Sequence, residues 1–546
     1  MADPLAVIPP DRLLNPNPPA AGGWLHRTFV FRHQLEAAVS AAFTGVAVAP
    51  GAQVWLYNET DAGLGDVAFA TKLVRLWRQA WPGAAIHLAT TDRAKQARFV
   101  LPDGVTVHDL AGPGGAPIAA DLVVSAPGIF DHCRDGTLVR RAVGADAGVP
   151  FLYLAEYGSI RQLRDDAFKA QLDAVDAFVD ARLDAAASRA GTDPDTVGHR
   201  ASTGEIVDAG RGQAIGHLIA DALCLPESPI GAWARAACLG ARSCGLEAGE
   251  LGIHIDVDLA RAAGAANRRA SLGDLGHAGL RATIAQAAAV YFGYAHSGIE
   301  RFVEVVAQLE RGRDRPLDLV APGARPVADL ALALFDADRL AALAGCGVGR
   351  IEIDDGKGGA AVWDLGAGKR LRVLTHHPLD HADMRRLISA CEAPVMVSGD
   401  QSFSDAVSAG KAVVAIEPVY CQTWHLDAVA ALASRVAPSA RALIDLGHRH
   451  TWGAAERAEL ARLVAADGLV DGFSALSDTV RTDHDGNAAM VAAASHAWAV
   501  GHRPAARALV ESYVARALGA LDPRVGWRLD PGDWQELAAA LARACG

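Results

Sequence analysis

Two glycine-bearing turns hold the side chains best suited to chemistry. The first is Asp61-Ala-Gly-Leu-Gly-Asp-Val67, between an apolar run and a helical pattern. Gly63 and Gly65 let the backbone turn tightly and let an acceptor molecule approach it. Asp66 then stands at a helix start, where two roles are open to it. Aspartate is a favoured N-cap, because its carboxylate takes backbone N–H groups of the first turn. At a loop tip the same carboxylate can act as a general base toward a hydroxyl or guanidino nitrogen, which attacks poorly until its proton is removed.

The second turn, Val397-Ser-Gly-Asp-Gln-Ser-Phe403, lies between a strand pattern and a helix pattern. Gly399 permits close approach of a ligand. The backbone N–H groups around Gln401, Ser402 and Phe403, at a helix N-terminus, suit a diphosphate. Asp400 or Gln401 can hydrogen-bond a ribose or sugar hydroxyl. Without a ligand, the same residues make a capped strand-to-helix turn.

Further candidates surround these turns. Tyr291-Phe-Gly-Tyr-Ala-His-Ser297 places Tyr294, His296 and Ser297 at a strand end, where they can line a nucleotide site. Ser297 with Glu300 also has capping-box spacing. Thr375-His-His-Pro-Leu-Asp-His381 offers His376, His377, Asp380 and His381. Adjacent histidines on a strand point to opposite faces and Pro378 stiffens the turn, so no metal is expected there. The expectation is instead that His376 donates a hydrogen bond to a leaving phosphate. Tyr420, Gln422 and His425 can also face the donor. No Asp-x-Asp falls in the loops assigned to the cleft, and P-loop, zincin and hydrolase-elbow motifs do not occur.

The elements that must position these residues alternate. Strand patterns at 53–58, 85–89, 105–110, 121–125 and 149–154 are interleaved with a helix over 67–81. A mostly helical stretch over 165–285 follows. A second series then begins, with strands at 287–294, 317–321, 350–354, 370–375, 394–398 and 412–416 and helices at 326–343, 382–390 and 403–409. Alternation of this kind implies parallel sheets, whose ligands sit beyond the carboxyl ends of the strands. The expected organisation is a flexible arm over 1–23, a Rossmann-like domain with a helical insert over 24–285, a second Rossmann-like domain over 286–435, and a helical tail over 436–546.

The segment Gly65-Asp-Val-Ala-Phe-Ala-Thr-Lys-Leu-Val-Arg-Leu-Trp-Arg-Gln-Ala-Trp-Pro82 resembles the opening of bacterial heptosyltransferases. The Gly-Asp loop is also similar to that of the arginine rhamnosyltransferases that modify elongation factor P. The second turn, with Asp405-Ala-Val-Ser-Ala-Gly-Lys411 after it, resembles the donor-binding segment of the same rhamnosyltransferases. This resemblance implies an α/β protein of the GT-B fold, two Rossmann-like domains facing across a cleft, with the acceptor on the domain over 24–285 and the nucleotide sugar on the domain over 286–435. It implies Asp66 as the catalytic residue, facing the donor loop. It covers about two-fifths of the chain and leaves 165–285 unmatched.

Composition narrows the field further. The 546 residues carry 51 Lys and Arg against 63 Asp and Glu, a net charge of −12, which argues against a nucleic-acid surface. The eight cysteines are scattered with no C-x-x-C, as expected of buried thiols in a reduced compartment. No apolar run spans a bilayer and no leader pattern opens the chain, so a cytoplasmic protein is expected. Lys72, Arg75 and Arg78 with Trp77 and Trp81 could touch a membrane, but the apolar face of that helix is needed to cover a sheet. The expected activity is sugar transfer from a nucleotide-diphosphate sugar to an acceptor, inverting and metal-independent, with no cofactor beyond that co-substrate. The alternatives are a nucleotide-sugar epimerase of the same fold, or a non-catalytic binding protein on that scaffold.

Overall fold

The computed structural model describes residues 35, 37–60, 64–111, 119–127, 133, 136–156, 241–246, 250–265, 268–285, 288–295, 297–323, 327–397, 399–414, 423–449, 452–466, 468–519, 521–522, 526–527 and 531–545. The fold is mixed α/β. The chain divides into two compact units, one of residues 1–253 with 486–546 and one of residues 254–485.

In the first unit six strands form a wholly parallel sheet: β1 (Gln53–Asn58), β2 (Ala85–Thr90), β3 (Val105–Asp109), β4 (Leu122–Ser125), β5 (Phe151–Ala155) and β6 (Ala241–Ser243). Their order is β3-β2-β1-β4-β5-β6. Strand alternation splits the apolar residues between two faces. Val54, Leu56, Ile86, Leu88, Val124 and Leu154 share one face and one core with Phe69, Leu73 and Trp77 of α1 (Gly65–Ala80), which covers β1 and β2. Trp55, Tyr57, Val123 and Tyr153 face the other way, against Val139 and Val143 of the Gly136–Ala142 helix and its exit.

The helix Asn487–His502 completes the first of these faces. Its residues from Asn487 to Val500 are all buried, and Ala489, Ala493, Ala497 and Trp498 belong to the same core as α1. A helix apolar on all sides must be enclosed. The expectation of a separate helical tail over 436–546 is therefore corrected. The helices up to Asp483 belong to the second unit, and those from Asn487 belong to the first.

The second unit is built on seven strands: β7 (Ala289–Tyr294), β8 (Leu317–Val320), β9 (Val348–Asp354), β10 (Ala360–Asp364), β11 (Lys369–Leu374), β12 (Val395–Val397) and β13 (Val413–Val414). The order is β10-β9-β11-β8-β7-β12-β13, with only β10 antiparallel. The hairpin partner β10 is absent from the sequence expectation, because its exposed Val362 and Trp363 give no alternating pattern. The helices that matter below are α2 (Val257–Ala265), α3 (Ala278–Ile284), α4 (Ile299–Leu309), α5 (His381–Ala390) and α6 (Asp400–Ser408).

The boundary expected near 285 falls at 253/254 instead, and polar side chains give the reason. Asp256 caps α2 by accepting from the N–H groups of Asp258 and Leu259, at 3.0 and 2.9 Å. Its other oxygen accepts from Arg385 on α5 at 2.6 Å, and its own N–H donates to Ser408 on α6 at 2.9 Å. Asp383 on α5 accepts the N–H groups of Gly276 and His277, at 2.7 and 2.8 Å. These bonds tie 254–285 to the second sheet's helices. Among the described residues, no helix is long and apolar enough to cross a membrane.

Among the described residues the imidazoles of His87, His254, His376 and His496 are buried. Burial lowers the pKa of His87, with a smaller contribution from His108, and of His496, where Arg242 adds to the effect. Burial also lowers that of His376, against a partial opposing pull from Asp354. Each of His87, His376 and His496 binds fewer protons folded than unfolded once the pH falls below about 6.5, the ordinary imidazole value. Their contribution to stability is whole above that pH and is lost as pH falls through the folded values. Melting temperature measured between pH 7.5 and 5.0 should decline over this interval, and His496→Gln should flatten part of the decline. A melting temperature that rises over the same interval would contradict the burial assignment.

Candidate functional site

In the first unit the direction of strand addition reverses between β1 and β4. The helix after β1 covers one face and the helix after β4 the other, so a crevice opens at the carboxyl ends of these two strands. Asp66 lies there, half-buried, as the second residue of α1. The N-cap position belongs to Leu64, which makes no side-chain cap. Of the two roles open to Asp66, capping is not the one it takes: helix geometry begins at Gly65, and the carboxylate lies in the first turn. There it complements the positive end of the helix dipole. A Cβ added at Gly65 would meet no atom within 4 Å, so space is open beside this turn. Gly63 lies outside the described residues.

The second unit has the same feature between β7 and β12. Pairing sets Val397 beside Tyr294 and Met396 beside Gly293. The turn that follows Val397 therefore starts one strand spacing from Tyr294. Tyr294 is half-buried, and burial raises its phenol pKa, which keeps the hydroxyl a hydrogen-bonding group. The N-caps of both helices leaving this point are glycines. Gly298 takes a left-handed φ of 82° before α4, and Gly399 an extended conformation before α6; neither carries a side-chain cap. Gly298 holds the cap position expected of Ser297. Gly293 earns its place by contact: a Cβ there would lie 3.1 Å from Phe302 and 3.2 Å from Ile299, so glycine lets α4 sit tightly on β7.

The Gly399 turn differs from its expected form by one residue. Helix α6 starts at Asp400, so its outward first-turn N–H groups are those of Asp400, Gln401 and Ser402. The Phe403 N–H donates to Gly399 at 2.8 Å within the helix, and its ring is buried. Phe403 is a core residue, which corrects its place in the donor set. The Gln401 side chain is buried too, whereas Ser402 and Asp400 are half-buried. At Gly399 a Cβ would meet only the Ser402 hydroxyl, at 3.8 Å. The Gly410-Lys411 turn is structural: Gly410 adopts a φ of 66°, and Lys411 Nζ donates to the Cys391 carbonyl at 2.6 Å.

His376 is on the same carboxyl edge but apart from the donor turn. It follows β11, and β8 and β7 stand between β11 and β12. Three strand spacings of about 4.8 Å put it roughly 14 Å away. Its ring is 2% exposed and neither nitrogen has a hydrogen-bond partner; Nε2 is 3.7 Å from Asp354 Oδ2. The ring of His277 packs edge-on at 5.4 Å. Direct contact with a phosphate held at Ser402 does not follow from this placement. His377 is exposed, and Asp380 caps α5 by accepting from Asp383 N–H at 2.7 Å, so the histidine-rich segment does not converge on one point. His296, Tyr420 and Gln422, together with the His425 side chain, lie outside the described residues.

Sequence reasoning missed Asn58. It ends β1 fully buried, and its Nδ2 donates to the carbonyl oxygens of Asp66 and Ala126, at 3.2 and 3.1 Å. The available signal was a carboxamide closing an apolar strand just before a glycine turn.

No family model matches the sequence, and no curated protein does either. Among solved structures the chain is similar to a glycosyl transferase family 9 protein from Veillonella parvula. That match has 11% identity, covers 67% of this chain and 81% of the other, and has a TM-score of 0.29. The chain is also similar to a protein described as a UDP-N-acetylglucosamine 2-epimerase from Listeria monocytogenes. Here identity is 12%, coverage 80% and 94%, and the TM-score 0.35. A ugt transferase from Siraitia grosvenorii in complex with UDP matches at 10% identity, over 79% of this chain and 99% of the other, with a TM-score of 0.33. Likenesses this distant carry no argument about chemistry, which rests on the residues themselves.

The two ends of the donor turn should respond differently to mutation. Gly399→Val should lose only the cap, about 1 kcal/mol, since its backbone is extended and has room for the side chain, yet weaken nucleotide binding at least tenfold in calorimetry. Phe403→Ala should lose about 3–5 kcal/mol of stability, as for a buried aromatic ring. Wild-type nucleotide affinity in Gly399→Val would move the donor site elsewhere.

Proposed function

We propose that the chain is a glycosyltransferase that moves a sugar from a nucleotide-diphosphate donor to an acceptor nucleophile. The observation that carries this reading is the pair of glycine-capped helices, α4 and α6, that leave neighbouring strand ends at the β7/β12 reversal. Helix N-termini present N–H groups and a positive dipole end, which suit a diphosphate. Glycine caps put no side-chain oxygen in competition with it. The resemblance of the Gly399 turn to rhamnosyltransferase donor segments points the same way.

In this reading the Asp400, Gln401 and Ser402 amides and the Ser402 hydroxyl hold the diphosphate. They stabilise the charge that grows on it as the sugar bond breaks. Tyr294 lies beside the nucleotide. Asp66 takes the acceptor's proton as that nucleophile attacks the anomeric carbon from the face opposite the leaving group, inverting its configuration. The atoms balance: the sugar–oxygen bond to the diphosphate breaks, the sugar–acceptor bond forms, and the acceptor proton ends on the carboxylate. No metal is needed, since amides and dipoles offset the leaving charge, and activity should survive EDTA.

A panel of nucleotide sugars, scored by thermal shift and by nucleotide release, tests the reading. A donor that stabilises the protein and is turned over supports it. An altered sugar released without any acceptor would instead indicate epimerase chemistry. Asp66→Asn is the decisive variant. It loses a first-turn charge worth about 0.3–1 kcal/mol, so melting should change little and nucleotide should still bind. General-base assistance is typically worth about 10² to 10⁴ in rate, and turnover should fall by that factor. Wild-type turnover in Asp66→Asn would remove the base and with it this mechanism.

A further inference from the structure

Asn58 stands where the core pattern asks for a hydrocarbon. It shares a sheet face with Val54 and Leu56, which pack with Phe69, Ala70, Leu73 and Val74 of α1, and it is 0% exposed. A buried carboxamide costs free energy unless its polar groups are bonded. The accounting here is lopsided. Nδ2 serves two acceptors, while Oδ1 has no hydrogen-bond partner. A residue selected for stability alone would be apolar, or would bond at both ends.

The two acceptors show what the amide does. One is the carbonyl of Asp66, in the first turn of α1, and the other is the carbonyl of Ala126, one residue beyond β4. Ala126 in turn donates its N–H to Tyr57 at 3.0 Å. Asn58 thus joins three segments at the β1/β4 reversal: the end of β1, the chain leaving β4 and the helix start. Its hold on α1 is on the backbone of Asp66 itself, on the same Cα that carries the carboxylate.

We propose that Asn58 is a positioning residue for Asp66: its side-chain amide fixes the first turn of α1 against β4, so that the carboxylate is held in one place for proton transfer. This rests on the reading of Asp66 as the base. A displacement of about 1 Å in a catalytic group can cost 10²-fold in rate, so a backbone clip of this kind has a measurable consequence.

Two variants test it: Asn58→Leu, which keeps the branched heavy-atom skeleton and removes both donated bonds, and Asn58→Ser, which keeps a hydroxyl too short to span both carbonyls. The first measurement is amide hydrogen exchange by NMR or mass spectrometry. Helical bonds from Ala68, Phe69 and Ala70 close the first turn, the last of them on the Asp66 carbonyl. Exchange at these amides should rise at least tenfold in both variants, while Leu73 to Trp77 stay as in wild type. The second measurement is nucleotide release from the sugar donor that stabilises the wild-type protein. Here kcat should fall about tenfold or more, with donor KM unchanged, whereas a merely loosened fold would raise KM and lower melting together. Should Asn58→Leu not fold, Asn58→Ser carries both readings. Wild-type exchange at Ala68 to Ala70, or wild-type kcat, in the variants that fold overturns the proposal. Asp66→Asn in parallel separates the two ideas. If it turns over normally, the base assignment has failed and the catalytic role of Asn58 fails with it. If it is inactive while the Asn58 variants keep their kcat, only the positioning role has failed.

Discussion

Both units are organised by one constraint, the fixed hand of the connection between parallel strands. A parallel pair requires a crossover, and a crossover of one hand covers one face only. When strands are added first to one side of a starting strand and then to the other, the crossovers must change face. At the point of change, no helix bridges the carboxyl ends of two neighbouring strands. In the first unit this happens between β1 and β4, and the faces confirm it: α1 packs against Leu56, whereas the Gly136–Ala142 helix packs toward Tyr153. In the second unit it happens between β7 and β12. Asp66 and the Gly399 turn each fall at such a point. Chain topology therefore made the openings, and the residues there were free to specialise.

Apolar burial builds the sheets' cores, but polar side chains decide which segments belong to which unit. Residues 254–285 have little apolar pattern of their own, and Asp256 and Asp383 bind them through backbone N–H groups to α5 and α6. Glu304 does similar work on the other side of α4. Its carboxylate accepts from Arg339 at 2.6 Å and Arg457 at 2.8 Å, joining two further helices. Bonds of this kind are directional, so they specify register where hydrophobic contact would tolerate sliding. Breaking one such partner in the interior leaves an uncompensated charge, which costs more than the pair contributes.

Local patterns in the sequence were legible, and distant pairings were not. Apolar runs such as 53–58 and 287–294 read as strands because they are continuous and end at turns. Glycine turns at 63–65 and 399 read as ligand loops because they follow such runs. Shifts of one or two residues were lost: Asp66 lies two places past the cap of its helix, and Phe403 lies in the core. In each case the sequence allows either phase, and packing of the helix chooses. The membership of Asn487–His502 in the first unit was hidden for another reason. A helix apolar all round announces that it is buried but says nothing of what buries it. His376 shows the same limit, since its strand was recognised while its place in the sheet order, three strand spacings from β12, depends on pairings made far along the chain.

The choice of cap follows from the same physics and bears on why these helix starts suit ligands. A serine or aspartate cap is worth about 0.5–2 kcal/mol to a helix, and α5 and the Ala337–Gly345 helix each use one, through Asp380 and Asp336. At the β7/β12 reversal the chain places glycine at both caps, Gly298 and Gly399. Glycine caps a helix almost as well as those residues and occupies no space in front of it. A side-chain cap would put an oxygen where an anion's oxygen must sit, and binding would then have to displace it. Glycine caps are not confined to the crevice, since Gly453, Gly468 and Gly486 cap helices elsewhere; what sets Gly298 and Gly399 apart is their place at the β7/β12 reversal. That placement connects a backbone preference of two glycines to the proposed phosphate site.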